Sequence, residues 1–371
     1  MDSGEPLTHY TPGDFFFATG RHTVVGSGAR RAFTGTDAVA LSEAVSAALA
    51  EAPGGLAVGV LPFDTGSAPG HVTLPEISRI TGPARVATRL MIPAPVTVRA
   101  VPEPARHVDA VERAVRELGK RGMRKVVLAR ALELDFNTDV SPGAILNNLV
   151  ADGAGGYIFA AGLPNGRTLT GASPELLLSR TGGRVVSHPH AGSAPRSADP
   201  VSDRDNAERL ARSRKDQIEH AVLTEAIVET LRPFCRHLDV PSAPSLVSTP
   251  TMWHLGTVVT GELLDRDITA LRLAAALHPT PAICGSPTEQ ARELVGELEP
   301  FDRGYYAGAV GWTDADGDGE WAVSIRCAET GPRSLRLYAG GGIVPESDPK
   351  AELDETSAKF RTLLNAMGLE L

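Results

Sequence analysis

The stretch KVVLARALELDF, at positions 125–136, constrains the fold of this chain more than any other segment. Its valines, leucines and alanines occupy both parities of a β-strand, with Arg130 among them. Both faces of the strand should therefore be buried, as in a strand at the centre of a core. A chain of 371 residues with 42% hydrophobic content can supply such a core, as one large domain or as two ordinary ones.

Further strands are predicted where short apolar runs alternate with glycine and proline. They are FFFATG, TVVGSG and LAVGVLPF within the strand-rich residues 13 to about 100, then YIFAAGL (157–163) and LTGASPELLLSR (169–180), which a turn at 181–183 joins to RVVSHPHAG. In the last third, an antiparallel meander is predicted from YYAGAVGW, WAVSIRCAE and SLRLYAGGGIV. The proline-rich segment 93–106 predicts a connection.

Helical periodicity predicts four helices. They lie at about 108–119, 206–232, 268–277 and 350–366, and the second is the longest. Asp203 or Asp205 could cap that longest helix, and Pro233 ends it. Since no shift in composition divides the chain, we expect one α+β domain over residues 1–371.

The charge and the cysteine content exclude several classes of protein. A net charge of −9 and a sequence pI near 5.6 argue against binding to nucleic acid, which needs a basic surface. Cys235, Cys284 and Cys327 are too few and too scattered for a disulfide scaffold or a zinc framework. The N-terminus has no apolar signal segment, and no apolar run approaches the roughly 20 residues of a membrane span. We therefore expect a cytoplasmic protein that does not bind membranes.

One motif-like segment is better explained without a ligand. Asp314, Asp316 and Asp318 imitate the start of an EF-hand calcium loop, but position twelve would be Ile325, which cannot supply a carboxylate. A polar hairpin turn is therefore the favoured interpretation.

Three glutamates on two predicted helices are candidate metal ligands. Glu219 lies one turn after Lys215, and an ordinary surface ion pair between them is the favoured explanation when this helix is considered alone. Glu352 and Glu355 lie one turn apart near the start of the last helix, where acidic residues also complement the helix dipole. If the three carboxylates converge, their repulsion requires a cation, and oxygen ligands suit Mg²⁺. Sequence spacing alone leaves both alternatives open.

Lys125 and Glu175 are candidates for acid–base chemistry. Lys125 begins the apolar strand, where a lysine is usually a cation that extends its head to solvent. Its functional alternative is a lysine whose pKa is lowered by desolvation and by nearby cations, so that its neutral amine acts as a base. Glu175 precedes a strand, and its ordinary role is that of a turn or edge carboxylate.

Ten motifs occur in the order seen in the chorismate-utilising enzyme family, and the chain resembles that family from about residue 105 to its end. They are KVVLAR, GASPELLL, AGSAPR, KDQIEH, WHL, HPTPAICG, ELEPFDRGYYAGAVGW, SIRC, AGGGIV and AELDET. The first 100 residues match more loosely. The resemblance implies a single α+β domain, with antiparallel sheets packed with helices in the sandwich typical of anthranilate synthase component I, and the motifs in residues 105–371.

Within the family, the chain looks most like an isochorismate synthase of siderophore or menaquinone biosynthesis. Lys125 stands where the hydroxylating and lyase members carry their general base, and KDQIEH resembles the isochorismate synthase form of its helix. The implied reaction is attack of water on C2 of chorismate with loss of the C4 hydroxyl. Lys125 would deprotonate the water and Glu175 would protonate the leaving group, which requires a neutral lysine and a protonated glutamate at one pH.

The resemblance also implies how magnesium and the substrate are held. Glu219 and Glu355 would bind Mg²⁺ directly, with Glu352 beside them, and Arg326 and Lys359 would anchor the enolpyruvyl carboxylate. The remaining substrate-binding positions implied are Gly192, His254, Ala282, Ile283, Gly340, Gly341 and Gly342. His190 departs from the leucine or isoleucine common in the family at that position, and AGGGI departs slightly from AGAGI.

Several alternatives remain open within and beyond the isochorismate synthases. A salicylate synthase would share the acid, the base and the glutamates, but apolar Ala282 and Ile283 offer little help to pyruvate elimination. An ammonia-dependent aminochorismate synthase subunit and a non-catalytic binding subunit are further alternatives. We expect a monomer that acts on chorismate and needs no glutaminase subunit.

Overall fold

The structure is a computed structural model that describes residues 7, 10–64, 66 and 68–369. Within these ranges the chain forms two large antiparallel sheets, a small third sheet and eight α-helices. The first sheet contains, in spatial order, β18 (Gly285–Ser286), β8 (Lys125–Asp135), β22 (Ser334–Ile343), β21 (Cys327–Thr330), β10 (Thr168–Ser173), β9 (Tyr157–Gly162), β1 (Phe15–Ala18), β2 (Thr23–Ser27) and β6 (Ile77–Thr81), with β7 (Thr97–Val101) also paired to β8.

The other elements complete a layered α+β molecule. The second sheet contains β14 (Cys235–Asp239), β17 (Val259–Leu263), β12 (Arg184–His188), β11 (Leu176–Thr181), β20 (Gly319–Val323), β19 (Ala309–Asp314), β4 (Leu56–Leu61), β5 (Gly70–Leu74) and β3 (Arg31–Gly35). The third sheet contains β13 (His190–Pro195), β16 (Met252–Gly256) and β15 (Ser245–Ser248). The helices are α1 (Ala38–Ala50), α2 (Pro104–Arg121), α3 (Pro142–Ala151), α4 (Pro200–Arg212), α5 (Arg214–Leu231), α6 (Ala270–Leu277), α7 (Thr288–Leu298) and α8 (Pro349–Met367).

Strand β8 lies where its sequence predicts, inside the core. It is buried from Lys125 to Ala131, and apolar side chains on both of its faces contribute to the core. Its long antiparallel pairing with β22 sets Ala129 opposite Gly340 and Val127 opposite Gly342. The register therefore brings the glycines of AGGGI beside the start of β8.

The predicted long helix over 206–232 is wrong as a single helix. It is two helices, because the backbone of Ser213 is extended (φ −69°, ψ 114°) and its hydroxyl caps α5 by accepting a hydrogen bond from the Asp216 N–H. The preceding helix α4 begins at Pro200 and is capped by Asp199, so neither Asp203 nor Asp205 is the cap. A serine cap three residues before an acidic residue is a helix-start signal.

Three further sequence predictions differ from the structure. The last four strands form two hairpins in different sheets, β19–β20 in the second and β21–β22 in the first, and not one meander. The segment 93–106 contains strand β7 and the start of α2. Helices α1, α3 and α7 are additional to the predicted ones.

The hairpin turn predicted for Asp314, Asp316 and Asp318 is confirmed: it joins β19 to β20. The side chain of Asp318 accepts a hydrogen bond from the Gly182 N–H and pairs with Arg180. In the described part of the chain, no helix is long and apolar enough to cross a lipid bilayer.

Candidate active site

A cavity lies between the first and third sheets, where α5 and α8 approach β13 and β22. Ten of the residues predicted from the sequence line it, namely Glu175, Gly192, Glu219, His254, Ala282, Ile283, Arg326, Gly340, Gly342 and Lys359. The other four lie behind this lining or beside it, namely Lys125, Gly341, Glu352 and Glu355. The fold therefore gathers the predicted site residues around one cavity.

Lys125 and Glu219 form a buried ion pair at the cavity wall. Lys125 Nζ lies 3.1 Å from Glu219 Oε1, in an orientation that is not that of a hydrogen bond. Gly342 is required beside them, because a Cβ there would overlap the Glu219 carboxylate and approach Lys125 Cε to 2.7 Å. The third glycine of AGGGI thus makes room for the pair.

The three predicted metal-ligating glutamates converge on one point, and the ammonium of Lys215 occupies it. Lys215 Nζ lies 3.1 Å from Glu352 Oε1, 3.4 Å from Glu219 Oε2 and 3.9 Å from Glu355 Oε2. Asp216 Oδ1 is 3.7 Å away. The first two turns of α5 and of α8 supply these side chains, so two helix starts that are distant in sequence form one acidic cluster.

The lysines around the cluster decide which carboxylates are ionised. Burial opposes the charge of Glu355, but Lys359 and Lys215 outweigh it and hold the pKa of Glu355 below its usual range. Glu355 Oε1 accepts hydrogen bonds of 2.6 Å from both Lys359 Nζ and Ser193 Oγ. Burial and the charge of Glu355 raise the pKa of Glu352. Burial also opposes the charge of Lys215, yet the surrounding carboxylates raise its pKa.

The donor set fits a hard divalent cation. Glu219 Oε2 and Glu352 Oε2 are buried and have no hydrogen-bond partner, so each has an oxygen lone pair free for an ion. Among the described residues, no three His, Cys, Asp or Glu side chains are already arranged as a metal site. Lys215 lies between the glutamates instead.

Glu175 is a buried carboxyl group that lines the cavity. It follows β10, and its N–H donates a 3.2 Å hydrogen bond to Ser173 Oγ, which fixes the turn. Burial raises the pKa of Glu175 to about 8, although a hydrogen bond from the His190 N–H and the charges of Lys125, Lys359 and Arg326 act in the opposite direction. The side chain is therefore mostly protonated at neutral pH, as a general acid must be.

Arg326 and Lys359 make one part of the cavity cationic. Burial lowers the pKa of Arg326 to about 10, which still leaves it charged at neutral pH. Its backbone has φ +50°, a strained conformation for a residue with a side chain, at the point where the chain passes from β20 to β21. Lys359 Nζ is held by the Gly340 carbonyl at 2.9 Å. Such a pair suits a carboxylate ligand.

The histidines of the cavity are neutral. Burial first, and the charge of Arg326 next, place the pKa of His254 well below its usual range, and Arg326 Nη2 lies 3.5 Å from His254 Nε2. His190 stacks on His254 with ring centroids 5.7 Å apart, and neither of its ring nitrogens has a hydrogen-bond partner. His190 therefore forms part of the cavity wall.

Other residues of the site were not predicted from the sequence. The sequence predicts Lys215 only as a surface partner of Glu219, but its contacts extend to Glu352 and Glu355. Tyr306 stacks on Tyr338 at 4.8 Å, and its hydroxyl would lie 2.8 Å from a Cβ at Gly340. No spacing signal marks such contacts, because they join segments that only the tertiary fold brings together.

The model of the chorismate binding enzyme family matches residues 84–368. The chain belongs to this family. It is 46% identical to the isochorismate synthase DhbC of Bacillus subtilis (strain 168), over 99% of this chain and 96% of that protein. It is 42% identical to the isochorismate synthase EntC of Escherichia coli (strain K12), over 84% of this chain and 81% of that protein. The family resemblance seen in the motifs is confirmed.

Solved structures of chorismate binding enzymes share the fold. The crystal structure of DhbC from Bacillus anthracis matches with a TM-score of 0.93 and 42% identity, over 98% of this chain and 99% of that chain. Anthranilate synthase component I from Streptococcus pneumoniae TIGR4 matches with a TM-score of 0.75 at 20% identity, over 92% of each chain. The α+β fold with antiparallel sheets that the resemblance implied is confirmed.

Proposed function

We propose that this protein is an isochorismate synthase that converts chorismate to isochorismate with the help of Mg²⁺. The relatives named isochorismate synthase match most of the chain at 42–46% identity. The observation that carries the proposal is the buried Glu175, with its pKa raised to about 8, in the same cavity as Arg326 and Lys359. A protonated carboxyl beside an anion-binding pair fits an acid-catalysed reaction of a carboxylate substrate.

In the proposed reaction, a water oxygen bonds to C2 of chorismate, the ring double bonds shift, and the C4–O bond breaks. Lys125 accepts the proton of the attacking water, and Glu175 gives its proton to the departing hydroxyl, which leaves as water. Because Lys125 is paired with Glu219 at 3.1 Å, this role requires the pair to be weaker when substrate is bound. The acid and the base then exchange their protons with solvent before the next cycle.

A bound Mg²⁺ would supply positive charge that neutralises the ring carboxylate of the substrate. Glu219 and Glu355 are the ligands that we propose, with Glu352 beside them. Arg326 and Lys359 would bind the enolpyruvyl carboxylate. Small residues would let the substrate approach the backbone at Gly192, Gly340 and Gly342, while His254, Ala282 and Ile283 provide the other walls. Gly341 makes room for Glu352 instead, because a Cβ there would lie 2.9 Å from Glu352 Oε2.

The test is incubation of the purified protein with chorismate, with MgCl₂ or with a chelator, followed by NMR of the products. Isochorismate should form only with the metal, and Lys125→Ala and Glu175→Gln should each reduce its formation by at least about 100-fold. Stoichiometric pyruvate, measured with lactate dehydrogenase, would instead identify a salicylate synthase. An aminated product formed with ammonium would identify an aminochorismate synthase, and unchanged turnover by Lys125→Ala would remove that residue from the mechanism.

A further inference from the structure

Lys215 occupies the point on which the three glutamates converge. Among the described residues, only its ammonium lies within 3.9 Å of carboxylate oxygens of Glu219, Glu352 and Glu355 together. The neighbouring cations each contact one of the three, since Lys125 pairs with Glu219 and Lys359 pairs with Glu355. Lys215 is therefore placed where an ion bound by this cluster would have to lie.

We propose that Lys215 is a built-in counter-ion, which neutralises the glutamate cluster while the protein is free of metal and moves out when Mg²⁺ binds. The identity of the metal rests on the proposed function. The displacement follows from geometry, because Mg²⁺ takes ligand oxygens at about 2.0–2.1 Å in an octahedron and leaves no room for an ammonium at the same centre. The two like charges would also repel each other strongly at such a distance.

Of the three lysines, Lys215 is the one that can leave. Lys125 has a side chain with no exposed surface, and Lys359 is tied to the Gly340 carbonyl by a 2.9 Å hydrogen bond. The Lys215 side chain is 19% exposed, and it projects from the first turn of α5, directly after the break at Ser213. A rotation of its long side chain therefore takes the ammonium into solvent without moving a helix.

The counter-ion explains how so many buried carboxylates can stay together before the metal arrives. Buried charges without partners are strongly destabilising, and a lysine among them removes most of that penalty. The same lysine must reduce the measured affinity for Mg²⁺, because binding includes breaking its ion pairs. Removing the lysine should then have opposite effects on metal affinity and on the stability of the metal-free protein.

The first experiment is calorimetric titration with MgCl₂ alone of the wild type, Lys215→Met, Lys215→Arg and the control Lys120→Met. Lys120 is an exposed lysine on α2, and its ion pair is with Glu117, three residues earlier, at 3.1 Å. We expect Lys215→Met to bind Mg²⁺ at least about tenfold more tightly than the wild type. The Mg²⁺ affinities of Lys215→Arg and Lys120→Met should stay within about threefold of the wild-type affinity. In EDTA, Lys215→Met should have the lowest melting temperature, and MgCl₂ should raise it the most.

A second experiment needs no variant. The wild-type protein is acetylated briefly, and the modified lysines are quantified by peptide mass spectrometry. Lys215 should react at least about fivefold faster with saturating MgCl₂ than with EDTA, while Lys120 should react equally fast under both conditions. Unchanged reactivity of Lys215, or equal or weaker Mg²⁺ binding by a folded Lys215→Met, would overturn the displacement and leave the proposed function intact. If the wild type binds no Mg²⁺ but still makes isochorismate, the metal and the counter-ion role fall together and the reaction stands.

Discussion

The protonation of Glu175 makes the rate of the proposed reaction depend on pH. Burial raises the pKa of Glu175 to about 8, so the carboxyl holds its proton below that pH and loses it above. Since a general acid acts only in its protonated form, kcat/KM should fall by about tenfold per pH unit well above pH 8. A pH series of initial rates with chorismate and MgCl₂ measures this limb.

Glu175→Gln provides the matched comparison for that profile. The amide has nearly the same shape but no proton to give, so its residual activity should show no descending limb near pH 8. A wild-type limb that begins near pH 5, where an exposed glutamate would titrate, would contradict the protonated state assigned to Glu175.

Gly342 leaves room for the buried ion pair of Lys125 and Glu219. A Cβ there would overlap the Glu219 carboxylate and meet Lys125 Cε at 2.7 Å, so Gly342→Ala must push the buried pair apart. We expect this variant to lose at least about 2 kcal/mol of stability and at least about 100-fold in kcat/KM. Denaturant unfolding and initial rates measure the two effects.

Gly296→Ala is the control for the same chemical change. Gly296 lies in α7, and a Cβ there has nothing within 4 Å. An alanine in a helix should increase the stability by about 0.5–1 kcal/mol and leave turnover as it is. If Gly342→Ala and Gly296→Ala had the same stability and turnover, the absence of a Cβ at Gly342 would not be needed for the close approach of Lys125 and Glu219.

Among the helices, the break between α4 and α5 sets the position of the acidic cluster. Ser213 caps α5, and Lys215, Asp216 and Glu219 follow within its first two turns. Ser213→Ala should cost about 1 kcal/mol of stability and also raise the Mg²⁺ concentration that gives half-maximal activity, because the cap orients those side chains. Rates measured over a range of MgCl₂ concentrations test the second effect.

Asp199→Ala removes the cap of the neighbouring helix. Asp199 Oδ2 accepts a 2.9 Å hydrogen bond from the Ser202 N–H at the exposed start of α4. Loss of this cap should also lower the free energy of unfolding by about 1 kcal/mol. The Mg²⁺ dependence should not change in this variant, and a change as large as that in Ser213→Ala would mean that general loss of stability, and not cap geometry, controls the site.

The helices also show which parts of the fold a sequence can predict. Strong periodicity was enough for α2, α6 and α8, but the α4–α5 break depends on one extended residue, Ser213, within a continuous polar and apolar pattern. The serine-to-aspartate spacing from Ser213 to Asp216 carried the signal for that break. Helices α1 and α3 have side-chain caps at Asp37 and Ser141, and α7 follows a proline, but their high alanine content or short length hides the periodicity.

At the scale of the whole molecule, the order of the motifs predicted the family. Which side chains meet in the site, and which strands share a sheet, depend on the tertiary fold. Glu219 on α5 and Glu352 on α8 meet only because both helices pack beside β13, which no local spacing encodes. The same holds for the sheets. The hairpins β19–β20 and β21–β22 follow each other in sequence but belong to different sheets, and Arg326, with φ +50°, lies in the connection between them.

The residues before 84 supply the three strands at one end of each large sheet, although the family model matches only residues 84–368. Strand β1 lies between β9 and β2, and β4 pairs with β19 along its whole length. Phe17 of β1, with no exposed surface, belongs to the same core cluster as Trp321 of β20. Neither sheet can therefore lose these strands without exposing its core.

We therefore expect residues before 84 to unfold together with the rest in one thermal transition. All three tryptophans lie after that point, at 253, 312 and 321, but Trp312 lies edge-on against His22 with ring centroids 5.9 Å apart. The fluorescence is therefore measured in a Trp312→Phe background, where it reports on the remainder of the chain. Phe17→Ala should cost about 3–5 kcal/mol and lower the melting temperature seen by fluorescence as much as that seen by far-ultraviolet circular dichroism. An early transition in circular dichroism that leaves the fluorescence transition at its wild-type temperature would show that the N-terminal strands form a separate unit.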